Sequence, residues 1–284
     1  MILKDEIKKL AFKCGAELVG IAPIERFLHE GDKFKLKSLK CDAKSVIVMG
    51  FSVNRGALRG VEEGTNWGAV NAGSPVNPMI IPSVTYQFSR LFEQKYGYEA
   101  VSLTKIPTSL FKGDVESAAE NTVLFFDYAA YAAGLGEIGR GKFFLTAEYG
   151  VRQYFAAILT DAEIECDEIR PKSICDGCMD CAKACPYGAI QLNDIVAQNG
   201  PENKKISWNR LCIEKCFICT SGAISNQYLD DGDFNILNRG AKAMNTDIEP
   251  SRISAACGRA CVAHLEKTVQ KNKFINQFRM EQSR

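Results

Sequence analysis

The chain has 284 residues, enough to bury the core of one large domain or of two ordinary ones. Its 46% apolar composition is that of a globular protein, and a net charge of +1 argues against a surface built to neutralise many phosphates. No apolar run reaches membrane-spanning length, and the N-terminal stretch MILKDEIKKL lacks the apolar core of a secretory signal. We therefore expect a cytoplasmic protein without a membrane span.

The N-terminal part of the chain alternates helical and strand patterns. An apolar stripe that ends at Cys14, just before Gly15, predicts a helix with a glycine C-cap. The β-branched run KSVIVMGFSV at 44–53 is typical of a buried strand. Residues 55–83 are rich in glycine and proline, and an irregular stretch of that length predicts a loop over a ligand.

The pattern continues beyond this loop. An apolar stripe over 84–92 predicts a helix that ends at Gly97. Strands are predicted over 100–104, 142–146 and 151–160, around an alanine-rich helix over 118–133. Strands that alternate with helices indicate an α/β layer domain over residues 1–165.

A ferredoxin-type cysteine run dominates the rest of the sequence. Cys175, Cys178, Cys181 and Cys185, followed by Pro186, have the spacing C-x2-C-x2-C-x3-C-P. The first three thiolates of such a run bind one iron–sulfur cluster, and the fourth ligates a different one. A structural zinc site needs only two C-x2-C pairs and does not explain the ending. The run therefore predicts two [4Fe–4S] clusters.

Two [4Fe–4S] clusters need further thiolates, which five downstream cysteines can supply: Cys212, Cys216, Cys219, Cys257 and Cys261. Two registers compete for these ligands. In one, ICTSGAI at 218–224 repeats ACPYGAI at 184–190, and Cys219 takes the role of Cys185. In the other, CGRAC at 257–261 is the remnant of a second ferredoxin half, with Ser254 in place of its first cysteine.

The second register is favoured because it gives Cys257 and Cys261 a function. Cys261 then completes the cluster of the first three cysteines. Cys257 joins Cys185 and Cys212, and either Cys216 or Cys219 completes that second cluster. A buried, non-ligating role is expected for Cys14 and Cys166.

The segment Gly134-Leu-Gly136-Glu-Ile-Gly139 matches the dinucleotide-binding pattern G-x-G-x-x-G. That motif requires a strand before it and a helix after it, whereas here a helical pattern precedes and a strand-like pattern follows. NAD or FAD binding is therefore disfavoured. The three glycines, Arg140 and Tyr149 remain candidate cofactor-binding residues, with Arg140 suited to a cofactor or substrate carboxylate and structural packing of the turn as the alternative.

The stretch AAGLGEIGRGKFFLTAEYGVRQYFAAILTD at 132–161, followed by the cysteine run, resembles the epoxyqueuosine reductases and the respiratory reductive dehalogenases. Further matching pieces lie at 11–23, 45–51, 95–101 and 208–212. The resemblance implies an α/β (α+β) fold in which a nitroreductase-like, corrinoid-binding core precedes a two-cluster ferredoxin-like module. Its domains would be a corrinoid-binding and substrate domain at 1–165, a double-cluster domain at 166–265 and a helical tail at 266–284.

The same resemblance implies base-off cobalamin, held without a histidine ligand and reduced by electrons that pass from the distal to the proximal cluster. The sequence agrees in one respect, since it has only His29 and His264 and no D-x-H-x-x-G signature. By local alignment, Tyr86 occupies the position of a catalytic tyrosine, and Glu120 occupies that of a catalytic aspartate. These two residues are the candidate proton donors for reductive cleavage.

The function implied is a cobalamin- and [4Fe–4S]-dependent oxidoreductase that cleaves a small substrate with electrons from reduced ferredoxin or flavodoxin. The first alternative is an epoxyqueuosine reductase that acts on tRNA, which the near-neutral charge disfavours. The second is a non-catalytic iron–sulfur electron carrier that serves a corrinoid protein.

Overall fold

The computed structural model of the chain describes residues 3–27, 36–58, 72–73, 75, 79–104, 126–169, 173–212, 215–216, 252–271 and 273–278. Within these ranges, no helix is both long enough and apolar enough to cross a lipid bilayer.

A four-stranded antiparallel sheet forms the centre of the fold, in the order β1 (Leu18–Pro23), β2 (Ser45–Ser52), β6 (Gln153–Thr160) and β3 (Ala100–Leu103). The two central strands pair over their full length, from Ser45 opposite Thr160 to Ser52 opposite Gln153. Both strands are buried along nearly their whole length. Their continuous apolar runs are therefore explained by burial on both faces of the sheet.

Each face of the sheet is covered by helices. Helix α1 (Lys4–Cys14) and helix α2 (Ile80–Tyr96) cover one face, where Phe88 and Phe92 are fully buried. The helical segment 126–132 covers the other face together with Trp208. The alanine-rich segment approaches strand β1 so closely that a Cβ atom on Gly20 would lie 2.4 Å from the Ala133 carbonyl oxygen.

The part of the chain that bears and surrounds the cysteines consists of short elements. A two-stranded unit, β4 (Glu137–Ile138) with β5 (Phe144–Leu145), leads into β6. A longer antiparallel hairpin joins β7 (Ile190–Asn199) to β8 (Lys205–Leu211). Helix α3 (Ala256–Thr268) carries Cys257 and Cys261.

The observed elements confirm most of the predicted ones. Helices α1 and α2 end at Gly15 and Gly97, both left-handed with φ of +111° and +73°. The described residues 126–132 are helical, as predicted, and Gly134 follows with a φ of +71°. The mixed fold class is confirmed, with a sheet that is antiparallel throughout.

Three features differ from the predictions. Strand β1 and the β7–β8 hairpin were not predicted, β7 because its exposed polar sequence lacks a buried-strand pattern. The predicted loop over 55–83 falls mostly outside the described residues, but 55–58 form a 3-10 turn and helix α2 begins at Ile80, inside the predicted loop. The tail was predicted to be helical from residue 266, but α3 ends at Thr268, residues 273–276 form bends, and residues 277–278 have no regular structure.

Candidate iron–sulfur site

The first three cysteines of the ferredoxin run lie on one tight loop. Gly177 and Met179 both adopt left-handed backbone conformations, with φ of +78° and +61°. The Cys178 amide donates to Asp176 Oδ1 at 3.1 Å, and the single helical turn Asp180–Lys183 follows at once. This winding is the local consequence of the C-x2-C-x2-C spacing, and it keeps three thiols on one short segment.

Cys261 of helix α3 joins these three thiols. Burial raises the pKa of Cys261 well above its ordinary value, and the charges of Cys181, Cys175 and Cys178 raise it further. Burial likewise raises the pKa of Cys181 to about 12, with added repulsion from neighbouring cysteines. We call Cys175, Cys178, Cys181 and Cys261 the first thiol group. Thiolates this close together repel one another. A bound metal centre would offset that repulsion, which the protein alone cannot do.

A second group forms beside it. Cys185, Cys216 and Cys257 line a small cavity together with Pro186, Ala189 and Arg252. The backbone places Cys212 one helical turn before Cys216, whose amide donates to the Cys212 carbonyl at 3.0 Å. We call Cys185, Cys212, Cys216 and Cys257 the second thiol group. The competing ligand Cys219 lies outside the described residues.

Backbone amides also point at the thiols. The Arg140 amide donates to Cys175 Sγ at 3.4 Å, and the Ala189 amide donates to Cys185 Sγ at 3.3 Å. Hydrogen bonds to sulfur favour the thiolate and tune the potential of a cluster that it ligates. One such donor therefore serves each thiol group.

The glycine-rich segment forms a wall of the first thiol group. A Cβ atom on Gly139 would lie 3.2 Å from Cys175 Sγ, and one on Gly141 would lie 2.6 Å from Cys181 Sγ. Only residues without a side chain let the backbone approach the sulfur atoms this closely. This cradle, the repelling thiols and the cavity fit two [4Fe–4S] clusters.

The strand–glycine–helix context of a dinucleotide site is absent from this part of the described structure. A helical segment precedes Gly134, and strand β4 follows Gly136. A Cβ atom on Gly134 would lie 2.4 Å from the Glu168 carbonyl oxygen, and one on Gly136 would lie 2.0 Å from that of Leu145. These two glycines therefore have packing roles, whereas Gly139 faces the thiols.

Comparison with known proteins agrees with this geometry. A family profile described as a 4Fe–4S binding domain matches residues 172–190. A tetrachloroethene reductive dehalogenase of Dehalobacter restrictus is 35% identical over 83 residues, which cover 28% of this chain and 15% of that protein. An epoxyqueuosine reductase of Gloeobacter violaceus is 39% identical over 61 residues, which cover 22% of this chain and 19% of that protein.

Solved structures give the same fold. The catabolic reductive dehalogenase NpRdhA aligns over 93% of this chain and 36% of its own, with a TM-score of 0.57 and 22% identity. A selenomethionine-labeled epoxyqueuosine reductase aligns over 98% of this chain and 67% of its own, with a TM-score of 0.53 and 16% identity. The predicted resemblance to the reductive dehalogenases and epoxyqueuosine reductases is confirmed. At these identities, the solved structures establish the fold alone.

The matched region is a small part of the curated relatives, since the alignment spans 15% of the tetrachloroethene reductive dehalogenases. What those reductive dehalogenases do as whole proteins is therefore not transferred to this chain by similarity alone. The 4Fe–4S match covers Cys175, Cys178, Cys181 and Cys185, which are three thiols of the first group and one of the second, so this segment is the best-supported part of the site.

The remaining candidates of the dehalogenase-like site lie in different places. Tyr86, on α2, is 68% exposed. Glu120 lies outside the described residues. The phenol of Tyr149 pairs with the Glu17 carboxylate, and burial together with that hydrogen bond raises its pKa to about 12. Arg140 has a buried Nη1 atom with no partner in the described structure. The catalytic roles of Tyr86 and Glu120 stay predictions.

Two residues near the thiols were missed in the sequence. His264 Nε2 lies 2.7 Å from Asp176 Oδ2 and fastens α3 to the cysteine loop. Arg252 donates to the carbonyls of Gly141 and Lys142 at 2.6 and 2.8 Å. These contacts join segments that are far apart in the sequence, so no local pattern could have revealed them.

Replacement of Gly141 with alanine is expected to impair the first cluster. The new Cβ atom would lie 2.6 Å from Cys181 Sγ and 3.1 Å from Phe143, in a site that is already packed. Overpacking of this kind costs about 1–3 kcal/mol, and here it also displaces a ligand. Chemical denaturation and iron analysis of anaerobically purified protein measure both effects.

Gly56→Ala is the matched control, because no atom lies within 4 Å of its added Cβ. It should change the free energy of unfolding by no more than about 0.5 kcal/mol and leave the iron content intact. Equal iron contents in the two alanine variants would contradict the conclusion that the site needs a residue without a side chain at Gly141.

Proposed function

We propose that this chain is an iron–sulfur oxidoreductase with two [4Fe–4S] clusters, one on each thiol group. The observation that carries the proposal is the division of the cysteines into two adjacent sets that match the second predicted register. Cys257 also raises the pKa of Cys181, so the two sets are close enough for their charges to interact. Adjacent clusters suit stepwise electron transfer.

We further propose that the electrons pass to a base-off corrinoid bound by the sheet domain. A solved reductive dehalogenase with 20% identity and a TM-score of 0.53 is described as suggesting a mechanism for B12-dependent dehalogenation. His264, the one described histidine, is held by Asp176 and Asp180 beside the cysteine loop. When bound, the corrinoid would supply the reductive cleavage chemistry, and the protein would bind it and orient the substrate.

The exposed Tyr86 fits a proton donor for this reaction. Its side chain lies on α2 outside the buried stripe formed by Thr85, Phe88 and Phe92. Reductive cleavage of a carbon–halogen or carbon–oxygen bond needs a proton as well as electrons. We propose Tyr86 and Glu120 as the source of that proton, and reduced ferredoxin or flavodoxin as the electron donor.

The proposal is tested by cofactor analysis before any activity assay. Anaerobically purified protein should contain about eight irons and eight sulfides per chain, because each of two cubane clusters holds four of each. Addition of cobalamin should give a base-off Co(II) EPR signal. About four irons per chain would remove the second cluster from the proposal, and failure to bind cobalamin at full iron content would favour an electron carrier.

A second candidate function is epoxyqueuosine reduction in tRNA, favoured by the 39% identity to the Gloeobacter violaceus enzyme. The two candidates share the clusters and the corrinoid and differ in substrate. Protein loaded with both cofactors should be given a halogenated phenol or alkene in one assay and epoxyqueuosine-containing tRNA in another. Turnover of the tRNA alone would replace the small-substrate proposal.

A further inference from the structure

Arg252 lies between the two thiol groups. It precedes helix α3 by a few residues and lines the cavity of the second group with Cys185, Cys216 and Cys257. Its guanidinium donates through Nη2 to the Gly141 carbonyl at 2.6 Å and through Nη1 to the Lys142 carbonyl at 2.8 Å. One side chain therefore reaches the wall of the first group and the cavity of the second.

The guanidinium is held rigidly. Besides its two carbonyl contacts, it lies over the ring of Phe143, with 4.1 Å between the guanidinium carbon and the ring centroid. Two carbonyl acceptors and an aromatic face fix the plane of a guanidinium more strictly than they would fix a lysine ammonium. The position of its charge is therefore set by the fold.

One donor of this guanidinium is unused. Arg252 Nε is buried, and within the described structure it has no hydrogen-bond partner. Buried donors are nearly always paired in folded proteins, so an unpaired one calls for an acceptor. Cluster sulfides and cysteine sulfurs are such acceptors, and the cavity that Arg252 lines is where the second cluster would lie.

The charge also acts on the second group. The guanidinium lines the same cavity as Cys257 and Cys185. The same charge would act on a cluster bound there. Reduction adds one negative charge to a cluster, and a fixed positive charge in a poorly solvated site favours the more negative state.

We infer that Arg252 is a positioning residue that raises the reduction potential of the second cluster and so sets the direction of electron flow between the two clusters. The inference rests on the two-cluster function proposed above. Arg252 belongs to no cysteine spacing or glycine motif in the sequence.

The surrounding charges do not cancel this effect. Arg252 and Lys142 both act on the carboxyl of Asp127, in the helical segment 126–132. Burial raises the pKa of the Asp127 carboxyl to about 7, while Arg252 and Lys142 oppose that rise. A carboxyl that resists ionisation offsets the guanidinium only partly at neutral pH.

The test is an EPR-monitored redox titration, at one fixed pH, of the full-length protein with both clusters assembled. R252Q removes the charge, and the equilibrium constant for reducing the second cluster should fall about tenfold, which corresponds to about 59 mV for one electron. The cluster of the first thiol group should change less than threefold. The second cluster is identified as the one whose signal is absent from Cys257→Ala.

R252K is the companion variant, because lysine keeps the positive charge and loses the two-pronged contact. Its second cluster should stay within about threefold of the wild-type equilibrium constant. R252Q could assemble only the first cluster, and R252K then decides the matter. A wild-type potential of the second cluster in R252K supports the charge effect, and a tenfold fall in its equilibrium constant for reduction overturns that effect. Unchanged potentials in an eight-iron R252Q protein would overturn the inference alone, whereas fewer irons in the wild type would overturn the two-cluster function first and this inference with it.

Discussion

Cys257→Ala and Cys261→Ala are expected to remove different clusters, although the two residues lie one turn apart on the same face of helix α3. Cys257 lines a cavity with Cys185 and Cys216, whereas the charges of Cys181, Cys175 and Cys178 act on Cys261 more strongly than that of Cys257. A [4Fe–4S] cluster with three thiolates is labile, so each single variant should fall from about eight irons to about four. The double variant should hold close to none.

Iron and sulfide analysis after anaerobic purification measures this directly, and EPR of the reduced protein shows which cluster remains. The comparison is decisive because two ligands of one shared cluster would give about four irons in the double variant as well. Cys166→Ala is the control, since its thiol donates to the Ile164 carbonyl at 3.3 Å, away from both thiol groups. It should keep the full iron content.

The same assay separates Cys216 from Cys219, the two alternatives that the second register leaves open for the remaining ligand. Cys216 lines the cavity of the second thiol group, so Cys216→Ala should lose that cluster. Cys219→Ala should then keep both clusters. The opposite result would return Cys219 to the ligand set and leave Cys216 as the spare thiol.

The parts of this site that could be predicted from the sequence are those set by local geometry. Three cysteines within one short loop can direct their thiols in only a few ways. A glycine that follows an apolar helical stripe commonly ends the helix. Cys261 was predicted through the degenerate half-motif at 257–261, and the structure brings it to the expected thiols. For these residues, the short spacing in the sequence was sufficient for the prediction.

The rest depends on contacts between distant segments. Gly141 lies against Cys181, and Arg252 donates to Gly141 across 111 positions of the chain, so no sequence pattern indicated that this glycine-rich segment forms a wall of the thiol site. Strand β1 was missed although it is almost wholly buried, since its six residues include Gly20 and Pro23. A helical tail was predicted over 266–284, but α3 ends at Thr268, and the described residues beyond it include Phe274 and Asn276, which contact Arg55.

The second large effect is expected at the far end of α3, where Glu266 forms a buried ion pair with Arg55. Arg55 Nε donates to Oε1 at 2.6 Å, Nη2 donates to Oε2 at 3.0 Å, and the side chains are only 11% and 4% exposed. The Phe278 amide also donates to Oε2 at 3.0 Å, which brings the tail into the contact. Arg55 lies 4.6 Å from the ring centroid of Phe274, so the tail also covers the guanidinium.

Glu266→Ala should lower the free energy of unfolding by about 3–5 kcal/mol, because it leaves a buried guanidinium without its counter-charge. The loss should lie at the upper end of this range, because Glu266 also stabilises the charge of Arg152, which is buried nearby. Burial lowers the pKa of Arg152, and the negative charge of Glu266 opposes that shift. Denaturant unfolding of the cluster-free protein measures the change. Glu165→Ala is the control, because its 3.0 Å contact with Lys4 is partly exposed and should be worth less than about 1 kcal/mol.

A double variant distinguishes a stabilising pair from a charge that must merely be neutralised. Arg55→Met with Glu266→Leu removes both charges and keeps similar volumes, so most of the loss should be recovered. Recovery would show that Glu266 is needed because Arg55 is buried beside the tail rings. A double variant as unstable as Glu266→Ala would instead place the stabilisation in the tail contact with Phe278. In either case α3 carries Cys257 and Cys261, so a loosened α3 should also lose iron faster on exposure to a chelator.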